Sequence, residues 1–399
     1  MFRDLVATPS GRVVVAALGV LVAGVVFGLA ALWPDATTRF ASPLAGTADR
    51  AVVQRVVRQQ CPKAQREPCQ MLTIRLLTGA AAGRTTTLTL PGLDAAPEVE
   101  HGDTLRVIAN DVVGGGAGLE APPGVEAYSF SDFERRSPLY LLAAIFAVLV
   151  VALARWKGVR SLLGLLASLA IVTQFMVPAI LQGSSPVLAA LVGALAVMLV
   201  TIALAHGTGV TSIAAILGSA VSLLATGLLA AVFVELGHIT GFSSEESALL
   251  QGSSGGRLSL QGLVLAGIVV GALGVLDDVT VSQASTVMAI KRANPAQGLR
   301  RLTASALSVG RDHLSATVNT LVLAYVGAAL PILLIFEDQG TSFGDALNRE
   351  AVGGQVVAML VGSIGLILAV PLTTGLAAWL AQRLPAAALD DAAAAHQHD

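Results

Sequence analysis

Leu263-Val-Leu-Ala-Gly-Ile-Val-Val-Gly-Ala-Leu-Gly-Val-Leu-Asp277-Asp278-Val-Thr-Val-Ser-Gln-Ala-Ser-Thr-Val-Met-Ala-Ile290 contains no lysine or arginine, and its two acids stand side by side near the middle. A segment so long and so apolar reads as a membrane-crossing helix, which needs about 20 mostly apolar residues. As one α-helix it would measure about 42 Å at ~1.5 Å per residue, against a hydrocarbon core of about 30 Å. It must therefore tilt and run on past the membrane, or break near the acidic pair. A charge at membrane depth costs about 3 kcal/mol on insertion scales, so such groups are functional candidates.

Helical spacing sorts the polar residues of this segment. Gly271, Gly274, Asp278, Ser282 and Ser285 share one face, and Asp277, Thr280 and Gln283 form a second polar line. Gly267 and Gly271 make a small-xxx-small pair suited to close helix approach. A carboxylate with hydroxyls one and two turns away offers oxygen ligands to a hard cation. A buried carboxylate can equally carry a proton. The bland alternative puts both acids at the membrane surface, capping the helix or pairing with arginines of the following loop. In the next span Asp312, Ser315 and Asn319 share a face, and Asn319 lies inside the apolar run. It serves either as helix glue or as a facing wall of the site.

The rest of the chain agrees with a membrane reading. Hydrophobic residues make up 54% and charged residues 13%, where an ordinary protein carries roughly a quarter charged. Disorder, collagen and coiled coil are excluded. A net charge of −2 leaves no basic excess for nucleic acid. Apolar runs at about Val13–Trp33, Leu139–Leu153, Leu162–Leu181, Pro186–Ala205, Ile213–Val234, Leu263–Ile290, Ser315–Phe336 and Val352–Leu380 give eight crossings. The first, preceded by Arg3 and Arg12, is expected to be an uncleaved anchor and not a signal peptide. Gln174 and Pro178 in the third and Pro371 in the last predict kinked or broken helices.

Residues 34–136 differ in character. Five short runs with β propensity, Ala51–Arg58, Met71–Leu77, Thr85–Leu90, Thr104–Ala109 and Val125–Phe130, alternate with glycine- and proline-rich turns. They predict a small barrel or sandwich, with an OB-like barrel favoured. Cys61 and Cys69 lie there, and a disulfide between them is expected if the domain faces an oxidising compartment. Basic residues set the orientation by the positive-inside rule. Arg3 and Arg12, Arg155–Arg160, Lys291–Arg311 and Arg383 all fall on one side if both termini are cytoplasmic and the β-domain lies outside.

The expected organisation is a cytoplasmic stub and anchor (1–33), an extracytoplasmic β-domain (34–136), a bundle of about seven further helices (137–383) and a cytoplasmic tail (384–399). Glu235, His238, Glu245 and Glu246 could gather a metal, but they read better as a solvated loop, and His313 as a solvated helix end. No Walker loop, zinc-protease signature or nucleophile elbow appears, so no enzyme is expected. An intramembrane acid hydrolase is disfavoured, because adjacent helical residues point about 100° apart.

Gly274-Val-Leu-Asp-Asp-Val-Thr-Val-Ser-Gln-Ala-Ser-Thr286 resembles the signature of the YibE/F-like family of bacterial multi-pass membrane proteins. Similar to that family are also the arginine-rich loop, Asn319-Thr-Leu-Val-Leu-Ala-Tyr325 leading to Leu330-Pro331, and Ala369-Val-Pro-Leu-Thr373. The likeness covers roughly residues 137–380 and implies a bacterial membrane protein, a permease among the functions, without naming a substrate.

The leading expectation is a secondary transporter of the bacterial cytoplasmic membrane for an ion or small solute. Asp277 and Asp278 would take a coupling cation or proton, Thr280, Ser282, Gln283 and Ser285 would complete the shell, and Asn319 would face them. No cofactor is expected, and its partners are the bilayer, its substrate, and a second copy or an envelope protein. The alternative is a non-transporting receptor or envelope assembly factor acting through the β-domain.

Overall fold

Long runs of alanine, leucine and valine without internal charge satisfy every backbone group inside the helix, as lipid requires. Our computed structural model describes residues 9–35, 48–60, 69–91, 96–110, 127–207 and 209–383. Its helices are α1 (Pro9–Ala31), α2 (Arg136–Ile171), α3 (Val177–Leu181), α4 (Pro186–His206), α5 (Val210–Leu236), α6 (Glu245–Ser253), α7 (Leu260–Ala293), α8 (Leu299–Asp338), α9 (Phe343–Asn348) and α10 (Glu350–Ala381). Among the described residues seven helical stretches are long and apolar enough to cross a membrane, one of them the 46-residue run Arg136–Leu181. The chain divides into two units, Ala41–Leu149 and the remainder.

That 46-residue run is interrupted. Arg155 has φ 51° and ψ −130°, which no helix accommodates. A Cβ placed on Gly158 would stand 2.5 Å from the Val150 carbonyl oxygen. Residues eight apart in a straight helix are about 12 Å apart along the axis, so the chain turns back sharply here. Further on, Val172–Met176 form a π-helical turn around Gln174, followed by α3 with Pro178 in its first turn. The irregularity expected from Gln174 and Pro178 is present.

The helical unit is built on α5, α7 and α10. Small side chains fill their contact, among them Ala214, Ala215, Ala220, Ala272, Ala284, Ala369, Ala377 and Ala378, all buried. Two close approaches are reciprocal: a Cβ on Gly218 (α5) would meet Thr373 Oγ1 (α10) at 2.2 Å, and one on Gly365 (α10) would meet Thr226 Oγ1 (α5) at 2.0 Å. Equal spacing in opposite directions makes the pair antiparallel, with one glycine–threonine contact at each end. α1 joins this unit by burying Val14 and Val25 in its core. Outward, Leu153, Leu163, Leu166, Leu323, Leu330 and Leu334 are exposed. Such apolar surface belongs in lipid.

α7 takes the uninterrupted one of its two alternatives, and the break allowed at Pro371 is absent. α7 runs from Leu260 to Ala293 without interruption at Asp277 and Asp278. It is held straight because α5, α10 and α4 pack along it. α10 likewise carries Pro371 within one continuous helix; the missing N–H falls on an exposed face.

In the other unit five antiparallel strands, β1 (Asp49–Gln59), β2 (Cys69–Leu76), β3 (Thr85–Leu90), β4 (Thr104–Ala109) and β5 (Tyr128–Phe133), form a curled sheet of order β3-β2-β1-β4-β5. Among the described residues no ladder closes β3 onto β5. Period-two alternation buries Ala51, Val53, Leu72, Ile74, Leu76, Leu88, Leu90, Leu105 and Val107 on one face. Fully buried Gln70 accepts from Val99 N–H at 3.0 Å and donates to Pro97 O at 2.9 Å, pinning that segment across the sheet. β5 lies three residues later than expected, with Ser131 as the extra residue of a bulge. Cys61 lies outside the described residues, while Cys69 is buried at the start of β2.

Candidate functional site

α7 presents two polar faces to two different surroundings. One face opens on a cavity of about 460 Å³ lined by Ser161, Gly164 and Ser168 of α2, Thr201 and His206 of α4, and Gly274, Asp277, Asp278, Ser282 and Ser285 of α7. Asp277 is half-buried, and its Oδ2 accepts the Thr201 hydroxyl at 2.9 Å. Its Oδ1 is shielded from solvent and has no hydrogen-bond partner among the described residues. Asp278, one residue and about 100° further round, is exposed in the cavity. The site thus offers one carboxylate with a vacant buried oxygen, a second carboxylate in the open, and hydroxyls from three helices.

The opposite face is dry and serves packing. Thr280 Oγ1 is 2.5 Å from Ser219 Oγ of α5, and both residues are fully buried. Buried Gln283 has its Oε1 3.0 Å from Thr374 Oγ1 of α10. It also fills the space over Gly310 of α8, where a Cβ would meet its Nε2 at 2.7 Å. Ser219, Ser222 and Thr226, aligned on one face of α5, are all buried against these neighbours.

The expected residues therefore separate. Asp277, Asp278, Ser282 and Ser285 come together around the cavity, whereas Thr280 and Gln283 point away from it. Asn319 is exposed on α8 and lines no part of the cavity. Its position follows from Gly310, the contact with Gln283: nine residues at about 100° each place Asn319 half a turn from that contact. Gly274 lines the cavity, but Gly267 has nothing near a Cβ and Gly271 meets only the Tyr325 hydroxyl. The close-packing glycines are instead Gly218, Gly365 and Gly310. Thr201 was legible as the lone hydroxyl of an otherwise aliphatic span. Ser161, Gly164 and Ser168 repeat the one-face spacing seen on α7.

No group of three acids, histidines or cysteines able to hold a metal gathers among the described residues. In the 237–259 loop Glu245 and Glu246 occupy the first turn of α6, behind the Ser244 cap. Its own backbone N–H and the Ser244 hydroxyl hold the Glu246 carboxyl below the usual carboxylate range.

Long apolar helices around a polar cavity, with an apolar outer surface, define a polytopic membrane protein. The model of the YibE/F-like protein family matches residues 142–383, which include the whole cavity and more than half of the chain, and the chain belongs to that family. No curated protein and no solved structure matches it.

Proposed function

We propose that this membrane protein is a secondary carrier, not an enzyme, and that the cavity between α2, α4 and α7 takes a cation or proton at Asp277 and Asp278. The observation that supports this most is the asymmetry of Asp277, fixed through Oδ2 by Thr201 while Oδ1 stays buried and unpaired. A buried acceptor without a partner is costly, and a bound proton or ion relieves it. Two carboxylates with serine and threonine hydroxyls are oxygen ligands for a hard cation. So few charged ligands hold an ion weakly, as carriage requires, since an ion that is carried must also leave.

In this reading the chain crosses a bacterial cytoplasmic membrane eight times, because the turn at Arg155 divides Arg136–Leu181 into two crossings. The basic clusters then share the cytoplasmic side with both termini, and the cavity opens beside them, near His206 and Ser285. The sheet domain lies outside.

The test is thermal unfolding of the purified protein across Na⁺, K⁺, Mg²⁺, Mn²⁺, Ca²⁺ and a range of pH. Asp277→Asn, Asp278→Asn and Thr201→Val run beside it. An ion at 100 times its dissociation constant should stabilise the parent by about 2.7 kcal/mol. Asp277→Asn should lose that protection while still inserting. If neither ions nor pH distinguish parent from Asp277→Asn, the carrier reading fails.

A further inference from the structure

The sheet unit holds a second cavity, of about 610 Å³, lined by Ala48, Arg50, Thr78, Arg106, Glu134, Arg136, Ser137 and Tyr140. Three arginines and one glutamate give this lining an excess of positive charge. The glutamate is already engaged: its side chain is 9% exposed, its Oε2 lies 3.4 Å from Arg106 Nη1, and its Oε1 accepts the Arg136 backbone N–H at 3.1 Å. Charge from Arg106 and Arg136 therefore meets one carboxylate, and Arg106 is further fixed by donating to Ala48 O at 3.2 Å. Arg50 is exposed at the rim, and no hydrogen bond or ion pair of its guanidinium is seen among the described residues.

Burial and hydrogen bonding also act on Glu134. Burial opposes its ionisation, but the Arg136 backbone N–H and the charges of Arg136 and Arg106 outweigh it and hold the carboxyl below the usual range. It thus remains an anion that orients Arg106 and stands 3.7 Å from Arg136 Nε, which leaves the Arg50 guanidinium open and the lining with a net positive charge. Hydroxyls of Ser137 and Tyr140 supply neutral donors on the same lining, while the Thr78 hydroxyl donates to Asp49 Oδ1 at 3.3 Å. Arginine forks with hydroxyl donors match the oxygens of phosphate.

The position is equally informative. Arg136, Ser137 and Tyr140 open α2, whose apolar run begins at Leu139. Tyrosine at the head of a membrane helix sits at the level of lipid headgroups. We infer that the Arg50–Arg106–Arg136 cavity binds a phosphate group at the membrane surface, carried either by an anionic phospholipid or by a soluble phosphorylated compound. This site is separate from the carrier cavity, and nothing in it depends on Asp277.

The experiment uses full-length protein, with Arg50→Gln/Arg136→Gln as the variant and Arg50→Lys/Arg136→Lys as the charge-retaining control. Both changed side chains are exposed, and circular dichroism checks the fold. In one arm, inorganic phosphate is titrated against thermal unfolding in detergent at low salt, where such contacts are least screened. In the other, nanodiscs of phosphatidylcholine with phosphatidylglycerol are compared with phosphatidylcholine alone, and bound lipid is read by native mass spectrometry. Phosphate protection weakened at least tenfold in the Gln variant, and kept by the Lys control, supports a soluble source. Phosphatidylglycerol retention lost in the Gln variant and kept by the Lys control supports a lipid source. Absence of both effects, or equal effects in parent and Gln variant, overturns the inference.

Discussion

Replacing Gly365 by alanine is the sharpest test of how the helical unit is held together. The new Cβ would lie 2.0 Å from Thr226 Oγ1 and 3.1 Å from Thr226 Cβ. That hydroxyl cannot swing aside freely, because it donates to the Ser222 carbonyl at 2.7 Å. Overpacking a filled interior costs about 1–3 kcal/mol. Losing a hydrogen bond inside a membrane bundle adds about 0.6 kcal/mol, while the better helix propensity of alanine returns roughly 1 kcal/mol. The net expectation is destabilisation on the order of 1–2.5 kcal/mol. Gly218→Ala meets Thr373 Oγ1 at 2.2 Å and Thr373 Cα at 3.2 Å, but that hydroxyl has no partner among the described residues, so its displacement forfeits no bond and the cost should be about 0–2 kcal/mol. Gly267→Ala meets nothing and should be neutral or stabilising by up to about 1 kcal/mol. SDS titration in mixed micelles, followed by tryptophan fluorescence, would rank the three. Gly365→Ala/Thr226→Ala should recover part of the loss, since the nearest clashing atom is gone. Equal costs for Gly267→Ala and Gly365→Ala would refute the reasoning.

Other outcomes follow from separate contacts. Lys291, buried without a carboxylate partner among the described residues, donates to Pro295 O, Gln297 O and Gln382 Oε1. Lys291→Met should strand those acceptors at a cost of about 1–3 kcal/mol and speed amide exchange through residues 294–298. Glu350 accepts from Thr240 N–H and the Thr240 hydroxyl at 2.9 and 2.8 Å, and from Gly241 N–H. Glu350→Gln should weaken these charge-assisted bonds by about 1.5–3 kcal/mol and make the 237–244 loop more sensitive to limited proteolysis. If Cys61 and Cys69 are bridged as expected, reduction should cost about 2–3 kcal/mol by loop entropy and lower the unfolding temperature of the sheet unit. An unchanged mass on alkylation without reductant, against a shifted mass after it, checks that bridge.

How much was legible depended on whether a feature was local. β2, β3 and β4 lie within two residues of expectation, because alternation and flanking turn residues are properties of the strand itself. β5 begins and ends three residues later than its sequence run, and its bulge at Ser131 reflects pairing with β4 and not its own pattern. The acidic pair stood out by composition, and Ser282 and Ser285 joined it by helical spacing alone. Spacing could not say which polar line of α7 meets the cavity and which meets α5 and α10. Hence Thr280 and Gln283 were grouped with the acids, although their partners are Ser219 and Thr374. Asn319 lies away from the cavity for the same reason, since the face of α8 that touches α7 is set by Gly310.

The two faces of α7 also differ mechanically. Its inner side is interlocked with α5 and α10, and the Lys291–Gln382 bond latches its end to the residue following α10, so these three helices are tied together at several levels. The far wall of the cavity is α2, which exposes most of its side chains and continues into a π-helical turn and a proline, a ready flexure point. The part of α2 after Arg155 is therefore the less constrained wall of the cavity, and α7 the more constrained one. The Ser168–Ser282 separation, followed by spin labels across the ions and pH values of the thermal test, would read any movement between these two walls.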